Sequence, residues 1–446
     1  MTSLNVQAGA AKTDITPDVG CWLEGIPRAQ PANAIHDSLH ARALVVGYSD
    51  GAPGTVNRIC LVTCDLIGLS AEFCWQVRER IAQSLETTPA QVVIACTHNH
   101  SGPATLGIFH DSERVDKQYL DLLSHRLVQV CQEAAGKAEP ALVGVGRGQE
   151  TTVSQYRRLL ARDGRIVMNW EEFPQHEIIG PAEEGDPDLG VVKIVGSTGR
   201  TLAVVFNYAC HPNSMPGDNF TISADFPGYA ADLIEQELGG VALFTNGAQG
   251  SVDIEGFEGR DFQGVERRGE ALGQAVLDTC RKIVVRPDPV IRSGRLVFLL
   301  PYRPIASEAL AWARDVVSQA KGEVATLRDG ISDEIKAANI LQQAGLTQPG
   351  VDFEVVGIRL AESIFFAIPG ELFTEIGRKI KTLAPSLQIY VIGLANGYHG
   401  YIPTAKASAE GGYATDVASG AYLAEQAEDL ICENAHILLS RVSKGA

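Results

Sequence analysis

The segment QVVIACTHNHSGP, residues 91–103, contains the pattern on which the prediction of the fold rests. It begins as a short apolar run of strand length and continues directly into polar residues, among which are His98 and His100. The same pattern recurs in RICLVTCD at 58–65 and in TLAVVFNYACHP at 201–212. Continuous apolar runs of this length are typical of strands that are buried on both faces.

Helical patterns alternate with the apolar runs along most of the chain. This alternation predicts an α/β protein with a mixed central β-sheet flanked by helices, although periodicity does not determine the strand order. The predicted strands are Ala41–Tyr48, Ile59–Cys64, Gln91–Cys96, Val191–Val195, Leu202–Tyr208, Val241–Thr245, Ser363–Ile368 and Gln388–Gly393. The predicted helices are Ala71–Leu85, Asp116–Ala135, Tyr229–Leu238, Gly264–Ile283 and Gly420–Val442.

Two regions depart from this alternation, and both are interpreted as parts of a single domain over residues 1–446. Residues 148–188 are rich in charge and poor in apolar runs, which predicts an irregular excursion. Residues 306–346 contain two amphipathic patterns, ASEALAWARDVVSQAKGEVATL and SDEIKAANILQQAG. They predict a helical-pair insertion that covers the mouth of a pocket.

Composition excludes several classes of protein. The 446 residues include 37 Lys+Arg and 54 Asp+Glu, a net charge of −17, which argues against nucleic acid or an anionic membrane as a partner. No apolar run predicts stable membrane insertion, and no export signal is expected. Nine cysteines without a CxxC pair predict reduced, buried thiols and a cytoplasmic location. The sequence does not decide whether the protein forms a homo-oligomer.

Polar residues of metal-binding type follow several of the predicted strands. In open α/β sheets, binding sites form beyond the carboxyl ends of strands, so these residues are expected to share one pocket. The residues concerned are Asp65, His98, His100, His211, Asn246–Asp253, Glu371, Tyr398, His399 and Tyr401.

The chemistry of this group is that of a zinc site with one position open to water. Two residues apart on an extended strand end, His98 and His100 project their rings to the same side, so either both bind the metal or one assists catalysis. Taken alone, each of the remaining residues also suits a purely structural role. His211 precedes proline in a turn, Glu371 begins a helix, and Tyr401 suits simple aromatic packing.

Taken together, the strings resemble the neutral/alkaline, non-lysosomal ceramidase family. The resemblance runs in the family's order from about residue 8 to about residue 413. The segments that carry it are GAAKTDITP, THNHSGPAT, FNYACHPNSM, ISADFPGYAADLIE, FTNGAQGSVD, IPGELF, GLANGYHGYIPT and EGGY.

The resemblance implies a zinc amidase that cleaves an N-acyl bond with a metal-activated water. It implies one zinc ion per chain, bound by His98, His211, Glu371 and Tyr401. His100 is then a catalytic or substrate-contacting residue beside the metal. The string YRR places the family's arginine at Arg157, where it stabilises an oxyanion or holds a substrate carboxylate.

The chain departs from the family in the string that carries a serine, Gly-Asp-Val-Ser-Pro. The best register places Ser251 on the aspartate and Asp253 on the serine, which favours water over a serine nucleophile. Ser251 and Asp253 are both kept as candidate catalytic residues, and His100 or Asp253 is expected to move the proton to the leaving group. Asp65 is expected to hold a metal-binding imidazole.

The family also continues into a C-terminal immunoglobulin-like domain, which is not expected here. With no export signal and an acidic surface, the predicted substrate is a soluble small amide, or less readily an ester or lactone, rather than membrane ceramide. One alternative is a true ceramidase that acts on N-acylsphingosine. The other is a zinc-containing binding protein that has lost catalysis.

Overall fold

The computed structural model describes residues 6–49, 56–109, 112–255, 259–287, 289–320 and 326–443. Its larger sheet has eight strands in the order β8-β7-β6-β5-β1-β2-β3-β4. These are Val6–Asp14 (β1), His40–Ser49 (β2), Val56–Cys64 (β3), Val92–Cys96 (β4), Glu139–Gln149 (β5), Asp188–Gly196 (β6), Thr201–Tyr208 (β7) and Val241–Asn246 (β8).

The sheet is mixed, as predicted. At its two edges β3 pairs with β4 and β7 pairs with β8 in parallel, whereas the strands between them pair antiparallel. The carboxyl ends of parallel neighbours lie at the same edge of a sheet. The polar segments that follow β7 and β8 therefore start from the same edge of the sheet.

A second sheet, which the sequence does not predict as a separate layer, packs on the first. Its four strands are Ile291–Pro301 (β9), Gly350–Leu360 (β10), Ser363–Ala367 (β11) and Gln388–Ile392 (β12), in the order β9-β10-β11-β12. The last two are parallel. Val46, Leu61 and Val192 of the larger sheet share one buried cluster with Ile358 and Phe365 of the second.

Helices cover the outer faces of both sheets, so the fold has four layers. They are Ala71–Ser84 (α1), Lys117–Gly136 (α2), Asp225–Leu238 (α3), Phe262–Lys282 (α4), Ser307–Gln319 (α5), Asp333–Ala344 (α6), Thr374–Lys381 (α7), Ala405–Glu410 (α8) and Ala427–Ser443 (α9). The outer layers comprise α1 to α4 on the larger sheet and α7 with α9 on the second. The last helix begins at Ala427 rather than at the predicted Gly420.

The two unusual regions are structured. Residues 148–188 include a small three-stranded sheet formed by Arg158–Ala161, Ile166–Met168 and Ile178–Pro181. The predicted helical pair is present as α5 and α6, which pack through Ala313, Ala337 and Ile340. Residues 321–325 of that predicted insertion lie outside the described residues.

Short strands of two residues each complete the described secondary structure near the site. They are Ala34–Ile35, Gln155–Tyr156, Thr221–Ile222, Val252–Asp253, Glu371–Leu372 and Tyr401–Ile402. Within the described ranges, no helix combines the length and the apolar character that crossing a membrane requires. All nine cysteines are free thiols, and seven are buried.

Sequence patterns missed β5 because glycines lower its apparent strand propensity. Gly144, Gly146 and Gly148 occupy alternate positions on one face of this strand. The end of α4 lies directly over them. A methyl group on Gly144 would be 2.5 Å from Ile283 Cγ2 and 2.7 Å from the Val284 carbonyl oxygen. The glycines are thus needed for close packing of a helix on a strand.

We predict that Gly144→Ala destabilises the fold by about 1–3 kcal/mol, the usual cost of overpacking a well-packed interior. Urea denaturation measures the change. Gly136→Ala is the matched control, because a methyl group at that helical position meets nothing within 4 Å. Equal stability of the two variants would show that the backbone at the end of α4, at Ile283 and Val284, does not press on β5.

Candidate functional site

The predicted metal-binding residues converge from both sheets. His98 follows β4 and His211 follows β7, both in the larger sheet. Glu371 follows β11 of the second sheet, and Tyr401 follows β12. Glu371 and Tyr401 pair directly in two short parallel strands. The expectation that strand ends share one pocket is therefore met for these four residues, with both sheets contributing.

One carboxylate oxygen lies at the centre of the cluster. Glu371 Oε2 is 3.1 Å from Nε2 of His98 and 3.1 Å from Nε2 of His211. The other oxygen, Oε1, accepts a hydrogen bond of 2.8 Å from the Tyr398 hydroxyl. Both imidazoles have their second nitrogen occupied. Nδ1 of His98 donates to the Ile67 carbonyl oxygen at 2.9 Å. Nδ1 of His211 donates to that of Val252 at 2.8 Å.

These contacts assign the tautomer of each ring. A carbonyl oxygen only accepts, so Nδ1 must carry the proton, and Nε2 of the neutral ring presents a lone pair. Two lone pairs then face a carboxylate oxygen, which is itself an acceptor. A cation among the three atoms satisfies all of them, and imidazole with carboxylate is a donor set that suits zinc.

The positions and protonation of the histidine ring nitrogens around the centre agree with a cation site. One side-chain nitrogen from each of His98, His100 and His211 lies within 4.8 Å of the others. Among the described residues, His98 Nε2 and both ring nitrogens of His100 find no hydrogen-bond partner. Burial and nearby Arg157 lower the pKa of His211 to about 4. Burial, with His98 and His211 next, holds the pKa of His100 well below its usual value. Neutral rings are the form that binds metals.

The ring of His100 is fixed by contacts around its backbone. Its amide donates to the Pro212 carbonyl oxygen at 3.2 Å, and its carbonyl accepts from Arg28 Nη2 at 3.0 Å. Gly25, whose φ is +109°, lies against the ring so closely that a Cβ there would be 2.5 Å from His100 Cγ. His100 is thus placed beside the centre without using its ring nitrogens.

Arg157 also reaches the centre, as the resemblance implies. Its Nη1 is 3.4 Å from His211 Nε2, and its Nη2 donates to the Gly250 carbonyl oxygen at 2.6 Å. The guanidinium lies 5.2 to 5.6 Å from three aromatic rings, those of Trp170, Tyr401 and Tyr413. Burial opposes its charge, but Tyr401 and then Asp253 raise its pKa above the usual value. Arg157 is a permanent cation at this wall.

Tyr401 lies in the cavity wall next to the centre. Its ring stacks on that of His211 with centroids 6.4 Å apart. Burial and the charge of Glu371 raise the pKa of its hydroxyl well above the usual value. The hydroxyl that contacts Glu371 directly belongs to Tyr398, a residue pooled with the site but not predicted as a ligand. Both tyrosines stand in the string GLANGYHGYIPT, so spacing alone does not decide between them.

Ser251 and Asp253 are buried beside the site and are not among the residues that line its cavity. The Ser251 hydroxyl accepts from the Thr374 amide at 2.8 Å and donates to Glu375 at 3.0 Å. Asp253 accepts from the Ile254 amide at 2.8 Å. Burial, followed by Arg260 and Asp329 in opposite directions, raises the pKa of Asp253 to about 6. Their catalytic roles stay predictions.

Asp65 does not hold an imidazole, contrary to expectation. One oxygen of its carboxylate accepts from the His40 amide at 2.9 Å and from Arg42 Nη1 at 2.8 Å. Arg42 is itself buried, so the ion pair neutralises a charge inside the protein. The partner of His98 is instead a backbone carbonyl, which sequence patterns do not reveal.

The centre lies at the wall of a cavity of about 400 Å³. The predicted helical pair contributes to it through α6, which supplies Ile335, Asn339 and Gln343. The loop with Leu106 and Ile108 also lines it. Other lining residues that prediction missed are Trp170, Asn213, Tyr302, Asp329, Tyr413 and Tyr422. The volume and the mixed apolar and polar walls are typical of small-molecule sites.

Comparison with known proteins identifies relatives of this chain. The profile of the family described as neutral/alkaline non-lysosomal ceramidase, N-terminal, matches residues 6–252. Neutral ceramidase B of Dictyostelium discoideum is 27% identical over 222 residues, which are 47% of this chain and 29% of that protein. Neutral ceramidase of Pseudomonas aeruginosa is 24% identical over 260 residues, 55% of this chain and 36% of that protein. The matches thus span about a third of the curated relatives' length.

Solved structures share the fold over nearly the whole chain. The crystal structure of neutral ceramidase from Pseudomonas aeruginosa superposes with a TM-score of 0.71 at 19% identity, over 98% of this chain and 75% of that one. A ceramidase complexed with C2 superposes with a TM-score of 0.73, also at 19% identity, over 99% and 77%. At this identity the likeness concerns the fold.

We predict that the purified protein holds about one zinc ion per chain, because a structural or catalytic site of this donor set binds one. His98→Ala and His211→Ala should each lose the ion, which elemental analysis of untagged protein measures. His436→Ala, on an exposed helical position, is the control and should keep it. Metal content that does not respond to His98 or His211 would contradict the site.

Proposed function

The chain belongs to the neutral/alkaline, non-lysosomal ceramidase family, and from this membership we propose that it is a zinc-dependent hydrolase of the amide bond in N-acylsphingosines. The observation that carries the proposal is Glu371 Oε2 at 3.1 Å from both His98 Nε2 and His211 Nε2, at the wall of a cavity. A zinc ion bound there by His98, His211 and Glu371 would supply a Lewis acid that polarises the amide carbonyl and activates water.

Arg157 is proposed to hold the carbonyl oxygen of the amide. Its guanidinium is fixed by the Gly250 carbonyl oxygen and by three aromatic rings. Its charge therefore stands at the centre before the reaction begins. A preorganised donor stabilises the negative charge that develops on the oxygen during attack. Tyr401, whose ring stacks on His211 and lies close to Arg157, forms the cavity wall beside this guanidinium.

His100 is proposed to move the proton. Its ring nitrogens find no hydrogen-bond partner among the described residues, and burial, by lowering its pKa, keeps the ring neutral at physiological pH. A neutral imidazole can accept a proton from the attacking water and deliver it to the nitrogen of the leaving amine. The alternative carrier, Asp253, lies outside the cavity lining and would have to act through Arg157.

The substrate proposal follows the relatives rather than the net charge. Acidic composition led to the prediction of a soluble small amide, whereas the relatives carry the name neutral ceramidase. Apolar lining residues from two segments support a chain-bearing substrate: Leu106 and Ile108 on the loop, and Ile335 and Leu346 on and after α6. A soluble amide becomes the outcome to look for if ceramides are not hydrolysed.

We predict that the protein releases fatty acid from N-acylsphingosine, that chelation stops the reaction and that added Zn²⁺ restores it. Arg157→Ala should lower kcat by about 100- to 1,000-fold, the usual loss on removing a donor to a developing oxyanion. Chromatographic assay of sphingosine release measures both. Zinc content shows whether the variant keeps its centre. If only soluble N-acyl amides were hydrolysed, the prediction of a soluble small-amide substrate, which followed from composition, would replace this proposal. No hydrolysis of any amide would favour the alternative of a zinc-containing binding protein.

A second prediction concerns Ser251. Its hydroxyl is occupied by the Thr374 amide and by Glu375 at the start of α7. We expect Ser251→Ala to cost about 1 kcal/mol of stability, the usual value for such hydrogen bonds, and to leave kcat unchanged. Thermal unfolding and turnover are measured on the same preparation. A loss of turnover with unchanged zinc content would instead support a serine nucleophile.

A further inference from the structure

Asn213 carries an acceptor that the chemistry described so far does not use. Four residues of the cavity lining bear a buried side-chain atom without a hydrogen-bond partner among the described residues. Three of them, His98, His100 and Arg157, already have roles in the proposed function. The fourth is Asn213, which is 2% exposed and whose Oδ1 finds no donor.

The orientation of the Asn213 amide follows from its neighbour. Its Nδ2 donates to Asp329 Oδ2 at 3.1 Å. Asp329 is bound also by Arg260 Nη1 at 2.6 Å and by the Gly330 amide at 2.7 Å. A carboxylate in such an ion pair accepts only, so the amide cannot be turned round without facing oxygen against oxygen. Oδ1 of Asn213 is therefore the end left for another partner.

The segment that fixes this amide belongs to the helical pair. Asp329 lies in the connection between α5 and α6, which is anchored on the body of the protein. The Leu327 amide donates to the Pro27 carbonyl oxygen at 3.4 Å, and Gly217 donates to that of Arg328 at 3.1 Å. Asn213 itself is two residues from His211, and the intervening Pro212 accepts from the His100 amide. The amide is thus held in the wall of the same cavity that the proposed centre lines.

We propose that Asn213 is a specificity-determining residue that accepts a hydrogen bond from the amine half of the substrate. This inference rests on the proposed function. In an N-acyl amide, the carbonyl oxygen pairs with the donor Arg157, and a plain acyl chain has nothing to donate. Donors remain on the amine half, as the amide N–H or as hydroxyls nearby. A buried acceptor left unpaired disfavours a substrate that lacks the matching donor.

The test compares N-acylsphingosine with analogues that each lack one donor: the 1-deoxy, 3-deoxy and N-methyl forms. Wild-type protein should lose about 10-fold or more in kcat/KM with at least one of them, the usual effect of one unpaired buried group. The analogue that suffers identifies which hydroxyl or N–H contacts Asn213.

Asn213→Thr and Asn213→Val form a matched pair of equal shape that differ in one hydroxyl. Thr should keep part of the preference and Val should abolish it, with zinc content unchanged in both. Asn213→Leu, close in shape to asparagine, is a second variant without an acceptor should Val fail to fold. A Val or Leu variant that keeps the wild-type ratio for every analogue would overturn the inference alone. Failure of wild-type protein to hydrolyse the parent compound would overturn the proposed function and the inference with it.

Discussion

A buried carboxylate oxygen that faces two imidazole lone pairs is the contact on which this structure depends. Glu371, His98 and His211 are at most 2% exposed, and the two Nε2 atoms lie 3.1 Å from one oxygen. Removing these groups from water is costly unless each finds a partner of opposite character. Backbone carbonyls fix the Nδ1 protons, so a cation is the partner that completes the set. The surrounding fold can be understood as the means of holding these groups together.

The arrangement requires both sheets at once. The imidazoles follow β4 and β7 of the larger sheet, and the carboxylate follows β11 of the second. Each of these strands has a parallel neighbour, so the carboxyl ends within each pair lie at the same edge. Because the sheets share the apolar cluster that contains Val46 and Phe365, the packing between them sets the distance between imidazoles and carboxylate. The packing of the core between the two sheets therefore also determines the geometry of the site.

Sequence patterns predict the parts of this site that depend on residue type and position in a strand. The ends of apolar runs place His98, His211 and Glu371 in one pool of residues of metal-binding type, and the family resemblance singles them out as metal ligands. Partners that depend on the path of the backbone could not be predicted. His98 donates to the Ile67 carbonyl oxygen and not to Asp65, because the carboxylate of Asp65 is paired with the buried Arg42. Tyr398 and Tyr401 differ only in how the turn after β12 places them.

For the fold too, features that depend on local residue type could be predicted, and features that depend on distant parts of the chain could not. Apolar runs predicted the central strands and most helix bounds, but not the second sheet as a layer. The alanine-rich β1 and the glycine-rich β5 were missed, since small residues are selected there by the helices above them. A methyl group on Gly9 of β1 would collide with the Ala134 carbonyl oxygen of α2. Such positions are defined by a partner distant in sequence, which local propensity does not contain.

Backbone strain shows how the two sheets are fixed relative to the site. His98 has φ +71° and Asn396, after β12, has φ +62°, conformations that cost an L-residue other than glycine about 1–2 kcal/mol. Each is held by hydrogen bonds. The His98 amide donates to Leu66 at 3.0 Å, and Asn396 both donates to the Ile94 carbonyl at 2.7 Å and accepts from the Ile94 amide at 2.9 Å. Asn396 therefore ties the turn that leads to Tyr398 and Tyr401 onto β4, the strand that leads to His98. The strain is retained because this junction connects the ends of two strands, one from each sheet, that must meet at one centre.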